Sequence, residues 1–249
     1  MHYGSLVQME RSDTKYFDYG FIDSHLHLDL FDNPKAIIEK SLNNNLSFLL
    51  TAGSNRESNI KNISISDGKN VFVAVGISPD FYQDYFDISD LFKYKQVIAV
   101  GEIGLDTTID TPLDKQLDIF KKQIEIAKEK EVPVIIHSRG ALDKVVNILE
   151  EANVKRAVFH FFEGDINIAR SLAKKGYKIS IPVKLNSKKK IIVKELEIEN
   201  LLFETDAPVA GEFPWDVIEL YNYASKVRGK DINDIKDAIF NNFREYFYI

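Results

Sequence analysis

Four of the five histidines in this 249-residue chain, His25, His27, His137 and His160, stand at the ends of short apolar runs. Two carboxylates, Glu102 and Asp206, sit at or near the ends of runs of the same kind. Imidazole is the commonest protein ligand for zinc-like ions, and carboxylates complete such sites. The stretch Phe21-Ile-Asp-Ser-His-Leu-His-Leu28 reads as a strand that presents His25 and His27 two residues apart. Side chains at i and i+2 of a strand point the same way, so this pair is half of a metal site.

Taken singly, each residue has a plainer use. Glu102 would cap a loop, His137 would end a core strand, and Asp206 would open the turn at Ala207-Pro208. Taken together, six hard or borderline ligands favour a metal centre, with Glu102 and Asp206 as the catalytic candidates. Six ligands exceed what one catalytic ion uses when it must keep an open position. A carboxylate such as Glu102 can bridge two ions roughly 3.5–4 Å apart. The chain has no cysteine, which excludes disulfides and thiolate sites and leaves His, Asp and Glu donors. Such donors suit Zn, Mn, Mg or Fe.

These residues need a scaffold that brings distant strand ends together. After the first strand, apolar runs recur at Leu46–Gly53, Val71–Ser78, Val97–Leu105, Val132–His137, Arg156–His160, Tyr177–Val183 and Leu201–Asp206. They are apolar on both faces, as parallel strands covered on both sides are. Helical segments lie between them: Pro34–Asn43, Asn55–Ile65, Tyr82–Lys95, Pro112–Lys130, Ala141–Glu151, a helix capped by Asp165 and ended by Gly176, and Lys188–Leu196. Trp215–Lys226 and Asp231–Tyr246 follow the last strand. In Pro112–Lys130, Leu113, Leu117, Phe120, Ile124 and Ala127 keep the spacing of one buried face. The 181 residues from His25 to Asp206 make seven intervals of about 26, close to the pitch of an α/β (β/α)8 TIM barrel. A doubly wound open sheet is the alternative. In a barrel the C-terminal strand ends converge on one rim, and all six ligands fall there.

Composition sets the remaining bounds. With 45% apolar and 28% charged residues the chain can bury a substantial core. Its net charge of −6 argues against broad, charge-driven coating of nucleic acid, although a local basic rim is compatible with it. No apolar run is long enough to span a membrane, and the first twenty residues lack the apolar core of a signal peptide. The expectation is a cytoplasmic protein with no obligate protein partner, a lead-in over residues 1–20 and one barrel domain over residues 21–249.

Five stretches carry a family resemblance. Asp23-Ser-His-Leu-His-Leu-Asp29, Gly101-Glu-Ile-Gly-Leu-Asp106, Pro133-Val-Ile-Ile-His-Ser-Arg139, Phe159-His160 and Glu204-Thr-Asp-Ala-Pro208 resemble, in order and spacing, the motif series of the TatD family of metal-dependent deoxyribonucleases. The resemblance runs from about Phe21 to the C-terminus. It implies that His25, His27 and Asp206 bind one metal, that His137 and His160 bind the other, and that Glu102 bridges them. It also implies two divalent ions (Mg, Mn or Zn) and hydrolysis of DNA phosphodiesters, often from the 3′ end. Asp206 would accept the water's proton. Arg139, with its planar fork, would clamp a phosphate; its plainer use is as a surface cation.

The substrate-facing stretches depart from the family pattern. Gly76-Ile-Ser-Pro79 has Ser78 where the family has a histidine, and Ser78 can offer the substrate one hydrogen bond but no charge. Thr107 replaces a tyrosine, Glu163 enters after His160-Phe-Phe, and the loop after Asp206 is shortened to Val209-Ala-Gly-Glu-Phe-Pro214. Phe161 and Phe162 are candidates for stacking a base, or for core packing. The run Lys184, Lys188, Lys189 and Lys190 reads as a solvated helix start or a basic rim. The altered mouth keeps an alternative open: an amidohydrolase-like hydrolase of a small ester, lactone, amide or phosphoester. A barrel that binds metal without turnover is a third.

Overall fold

The structure is a computed structural model that describes residues 19–249. Nearly all of the expected lead-in over residues 1–20, and with it the fifth histidine, lies outside the described residues. Eight strands follow one another in a single parallel sheet: β1 (Phe21–Leu26), β2 (Leu46–Ala52), β3 (Val71–Val75), β4 (Val97–Gly104), β5 (Val134–His137), β6 (Ala157–Phe159), β7 (Lys178–Pro182) and β8 (Leu201–Glu204). The helices are α1 (Pro34–Asn43), α2 (Arg56–Ile65), α3 (Leu113–Glu129), α4 (Leu142–Glu151), α5 (Ile166–Lys174), α6 (Ser187–Glu195), α7 (Val217–Arg228) and α8 (Ile232–Phe247).

Two hydrogen bonds tie the first strand to the segment after the last. The Asp206 amide donates to the His25 carbonyl at 2.9 Å, and the His27 amide donates to the Ala207 carbonyl at 2.8 Å. The barrel is therefore joined across the residues that carry the chemistry. β1 shifts register against β2 between Asp23 and Leu26, which re-aims the end of the strand.

Local chemistry fixes most helix ends. Asn33 accepts from the Ala36 amide and Pro34 occupies the first turn, so α1 starts there. Asn55 and Ser58 form a reciprocal capping box, which stabilises α2 although its sequence is weakly amphipathic. The Asp165 carboxylate accepts from the amides of Asn167 and Ile168 and starts α5.

One expected element is corrected. Tyr82–Lys95 is not an α-helix but two short 3-10 turns, Pro79–Asp84 and Ser89–Lys93. Pro79 begins the first, and Asp87 accepts from the Ser89 amide at 2.9 Å, so the backbone is diverted into a local turn. The β8 run also stops sooner than read, at Glu204, leaving Asp206 on a separate bend with φ of 53°. Aspartate is one of the few side chains that tolerate this left-handed conformation.

Apolar side chains pack in two clusters. One joins the strands to the surrounding helices, as with Val100, Ile136 and Phe203 against Phe120, Val145 and Tyr221. The other gathers Ile22, Leu50, Phe72, Ile98 and Leu202 with Phe240, Phe243 and Phe247 of α8. The Tyr246 hydroxyl donates to the carbonyls of Ala157, where β6 begins, and Gly176, just before β7. So α8 sits at the N-terminal end of the barrel and leaves the C-terminal rim open.

Candidate active site

Each candidate ligand lies within two residues of the C-terminal end of a strand. His25 lies in β1 and His27 one residue past it, both buried, with rings 5.0 Å apart and nearly perpendicular. Glu102 lies inside β4, next to Gly101, where a Cβ would come within 2.5 Å of the Ile135 side chain. His137 ends β5, and Gly104 makes its approach possible. At φ of +150°, a side chain on Gly104 would meet the His137 carbonyl at 1.9 Å. His160 follows β6 and stacks on His25 at 4.1 Å between ring centroids.

The Glu102 carboxylate divides the histidines into two pairs. Its Oε1 is 2.5 Å from His137 Nδ1 and 2.8 Å from His160 Nε2. Its Oε2 faces the other pair, 3.5 Å from His25 Nε2 and 3.6 Å from His27 Nε2. Asp206 Oδ1 approaches that second pair, 3.7 Å from His25 and 3.3 Å from His27. The donor atoms of His25, His27 and Asp206 lie within 4.8 Å of one another, and so do those of His25, Glu102 and His160. His137 joins neither triad on that measure, although it touches the shared carboxylate.

The electrostatics match a cavity made for cations. Burial alone would raise the Glu102 pKa, but the imidazoles of His160 and His137 outweigh it and hold the carboxyl well below its ordinary range. Burial opposes protonation of His160, yet Glu102 and then Glu204 push its pKa well above the usual imidazole value. Burial and the neighbouring His160 lower the pKa of His25. His25 Nε2 and Asp206 Oδ1 are buried without a hydrogen-bond partner and face the same space. Buried donors and acceptors are seldom left so, and a divalent cation satisfies both at once. The donor set therefore fits a metal ion.

A second tier of polar groups orients the ligands. His27 Nδ1 lies 3.2 Å from the Ala52 carbonyl, and His137 Nε2 lies 2.9 Å from Asp106 Oδ2. Glu204 is fully buried and accepts the Phe161 amide at 2.5 Å and the Ser180 hydroxyl, with Oε1 3.5 Å from His160 Nδ1. Such partners fix the ring orientation of a ligating histidine. Asp23, also buried, accepts from the Thr205 amide and hydroxyl and so anchors the bend that carries Asp206. The sequence reading gave Glu204, Asp106 and Asp23 no role. The available signal was their position, one or two residues from a ligand or within a strand-end motif.

The six ligand candidates converge, and so do both substrate candidates. Ser78 and Arg139 line the same cleft of about 230 Å³ as His27, Glu102, His160 and Asp206. Asp80, Asp106 and Glu163 line it too, so its mouth carries more acid than base. The phenylalanine pair splits: Phe162 is core, whereas Phe161 is half-buried at the cleft with φ of 45°. The lysine run is only partly a solvated helix start. Lys189 is buried, its Nζ 4.2 Å from the centre of the Phe161 ring.

A parallel eight-stranded barrel with a His/Glu/Asp cluster at its C-terminal rim is a metal-dependent hydrolase scaffold. The comparisons make the class specific: the family profile described as TatD related DNase matches residues 22–248, and the chain belongs to that family of metal-dependent hydrolases. An uncharacterized metal-dependent hydrolase of Bacillus subtilis, YabD, is 32% identical over 78% of this chain and 82% of its own. The human protein named deoxyribonuclease TATDN3 is 26% identical over 92% of this chain and 94% of its own. The crystal structure of YjjV, a TatD homolog from Escherichia coli, superposes with a TM-score of 0.84 at 25% identity, covering 92% of this chain and 98% of that one.

Proposed function

We propose that this protein hydrolyses DNA phosphodiester bonds with two divalent ions, Mg, Mn or Zn, held side by side at the barrel rim. The observation that carries the reading is the division of Glu102, whose two oxygens each face a different histidine pair. His25, His27 and Asp206 would hold one ion, His137 and His160 the other, with Glu102 shared between them. Bound there, such ions lower the pKa of water toward 7 and neutralise charge on phosphoryl oxygens.

The protein's own groups do the rest. Burial would raise the Asp206 pKa, but the neighbouring imidazoles of His27, His160 and His25 lower it. Its Oδ1 faces His25 and His27 across the site and would accept the proton of the attacking water. Arg139 reaches the cleft with an exposed guanidinium suited to a phosphate oxygen, and the Ser78 side chain adds a neutral hydroxyl. The name of the human relative, a deoxyribonuclease, supports DNA as the substrate class.

The test is hydrolysis of a 5′-labelled single strand with each metal, beside Glu102→Ala and Asp206→Ala. Stepwise shortening that drops at least 10²–10³-fold in both variants is expected, the scale for losing a group that stabilises developing charge. Intact DNA alongside wild-type turnover of a simple ester or phosphoester would favour the second reading, a small-substrate hydrolase. The acidic side chains of Asp80 and Glu163 beside the cleft are the observation on its side.

A further inference from the structure

Lys189 departs from the rest of the lysine run. Lys188 and Lys190 are exposed, whereas Lys189, in the first turn of α6, is only 4% exposed. Its ammonium makes no hydrogen bond or ion pair among the described residues, and its contact is the face of the Phe161 ring, 4.2 Å from Nζ. Lysine is rarely buried without a paired group, and a ring face is the substitute found here. Burial lowers the Lys189 pKa, and the more distant carboxylates of Glu163 and Glu204 oppose that shift.

Phe161 needs such a hold. Its φ of 45° is left-handed, a conformation that L side chains avoid and bulky ones avoid most. In that conformation its amide donates to Glu204 Oε1 at 2.5 Å, and the same oxygen stands 3.5 Å from His160 Nδ1. The next residue, Phe162, is anchored twice, by its amide on the Ser180 carbonyl at 3.2 Å and by a ring buried in the core. The Phe161 ring joins neither apolar cluster. It is half-buried at the cleft wall, with the Lys189 ammonium over its face.

Resting on the two-metal reading above, we infer that Lys189 is a positioning residue: its ammonium pins the Phe161 ring, which keeps the Phe161 amide on Glu204 and so sets the orientation of His160. The path runs from α6 through the turn after β6 to a proposed ligand. Lys189 thus serves the ligand cluster from behind, without entering the cleft.

The experiment compares wild type with Lys189→Met, which keeps the stem and removes the charge, and with Lys189→Arg, which keeps a cation able to stack on a ring. In metal-free protein labelled with ¹⁵N-histidine, Lys189→Met should move the ring-nitrogen signals of His160, assigned with His160→Gln, and leave those of His27 in place. In a Zn titration, one of the two affinities should fall about tenfold, the low end for losing a group that orients a ligating histidine. Lys189→Arg should restore both readings. Phe161→Leu should lower the same affinity, and the double variant should add nothing to either single change. His160 signals unmoved in Lys189→Met, or losses that add in the double variant, overturn the inference. So does a lowered melting temperature with unchanged Zn affinity, which would leave Lys189 a structural residue. His160 signals that respond as expected in a protein binding a single Zn support the pinning and count against the two-metal reading alone.

Discussion

The ligand cage and the mouth above it are built on opposite principles. Every cage residue sits on or within two residues of a barrel strand and is buried or nearly so, and three of the four histidines have a second polar group beside them. The mouth is carried by loops: the 3-10 turn at Pro79–Asp84, the segment after β4, and the shortened bend at Val209. A cage on strands is fixed by the same hydrogen bonds that join the barrel, so its geometry is as stable as the fold. A mouth on loops can change its charge without moving the cluster on the strands, and Ser78 and Glu163 stand at such positions.

Three perturbations sharpen that contrast, ordered by expected size. The largest is Glu204→Ala, which removes the carboxylate beside His160 without touching a proposed ligand. Metal affinity should fall about 10- to 100-fold, the usual cost of losing a group that orients a ligating histidine. Isothermal titration with Zn or Mn measures it, and an unchanged affinity would show that the bracing is not functional.

Next comes Arg139→Ala on the mouth. It should raise KM for an oligonucleotide roughly tenfold or more, from the loss of a charge-assisted hydrogen bond of about 1.5–3 kcal/mol. Metal binding should stay as it was. If metal affinity fell with KM, cage and mouth would not be separable.

The smallest effect lies far from both. Asp67, in the turn before β3, accepts from the amides of Lys69, Asn70 and Val71. Partial burial would raise its pKa, but those amides prevail and lower it below the ordinary 3.8. A carboxyl with a depressed folded-state pKa stabilises the fold above its unfolded value and loses that contribution as pH falls through the folded one. Denaturant midpoints of Asp67→Ala and wild type should therefore differ at pH 6 and converge near pH 3. The gap is under about 1 kcal/mol because the group is mostly in water. A gap that persists at pH 3 would assign Asp67 a role independent of its charge.

The same contrast explains what the sequence disclosed. Apolar runs that carry His25, His137 or His160 near their ends advertise both a strand and a place at the rim, because the barrel's pitch ties the two together. Arg139 and Ser78 were legible as cleft residues, since each stands within two residues of a strand-end motif residue. Tyr82–Lys95 reads as helix in the sequence, whereas its two turns depend on Pro79 and Asp87 rather than on a periodic pattern. Glu204 and Asp23 were hidden for another reason. Both lie beneath the ligands, and only the three-dimensional pairing of β1 with the bend after β8 shows what they hold.

In the proposed centre, Glu102 is shared by two ions. The most direct measurement is a Mn titration of metal-free protein followed by electron paramagnetic resonance. Two Mn per chain should bind, and the spectrum should show the multiline pattern of an exchange-coupled pair that is lost in Glu102→Ala. One Mn per chain at saturation, with the spectrum of an isolated ion, would contradict the account.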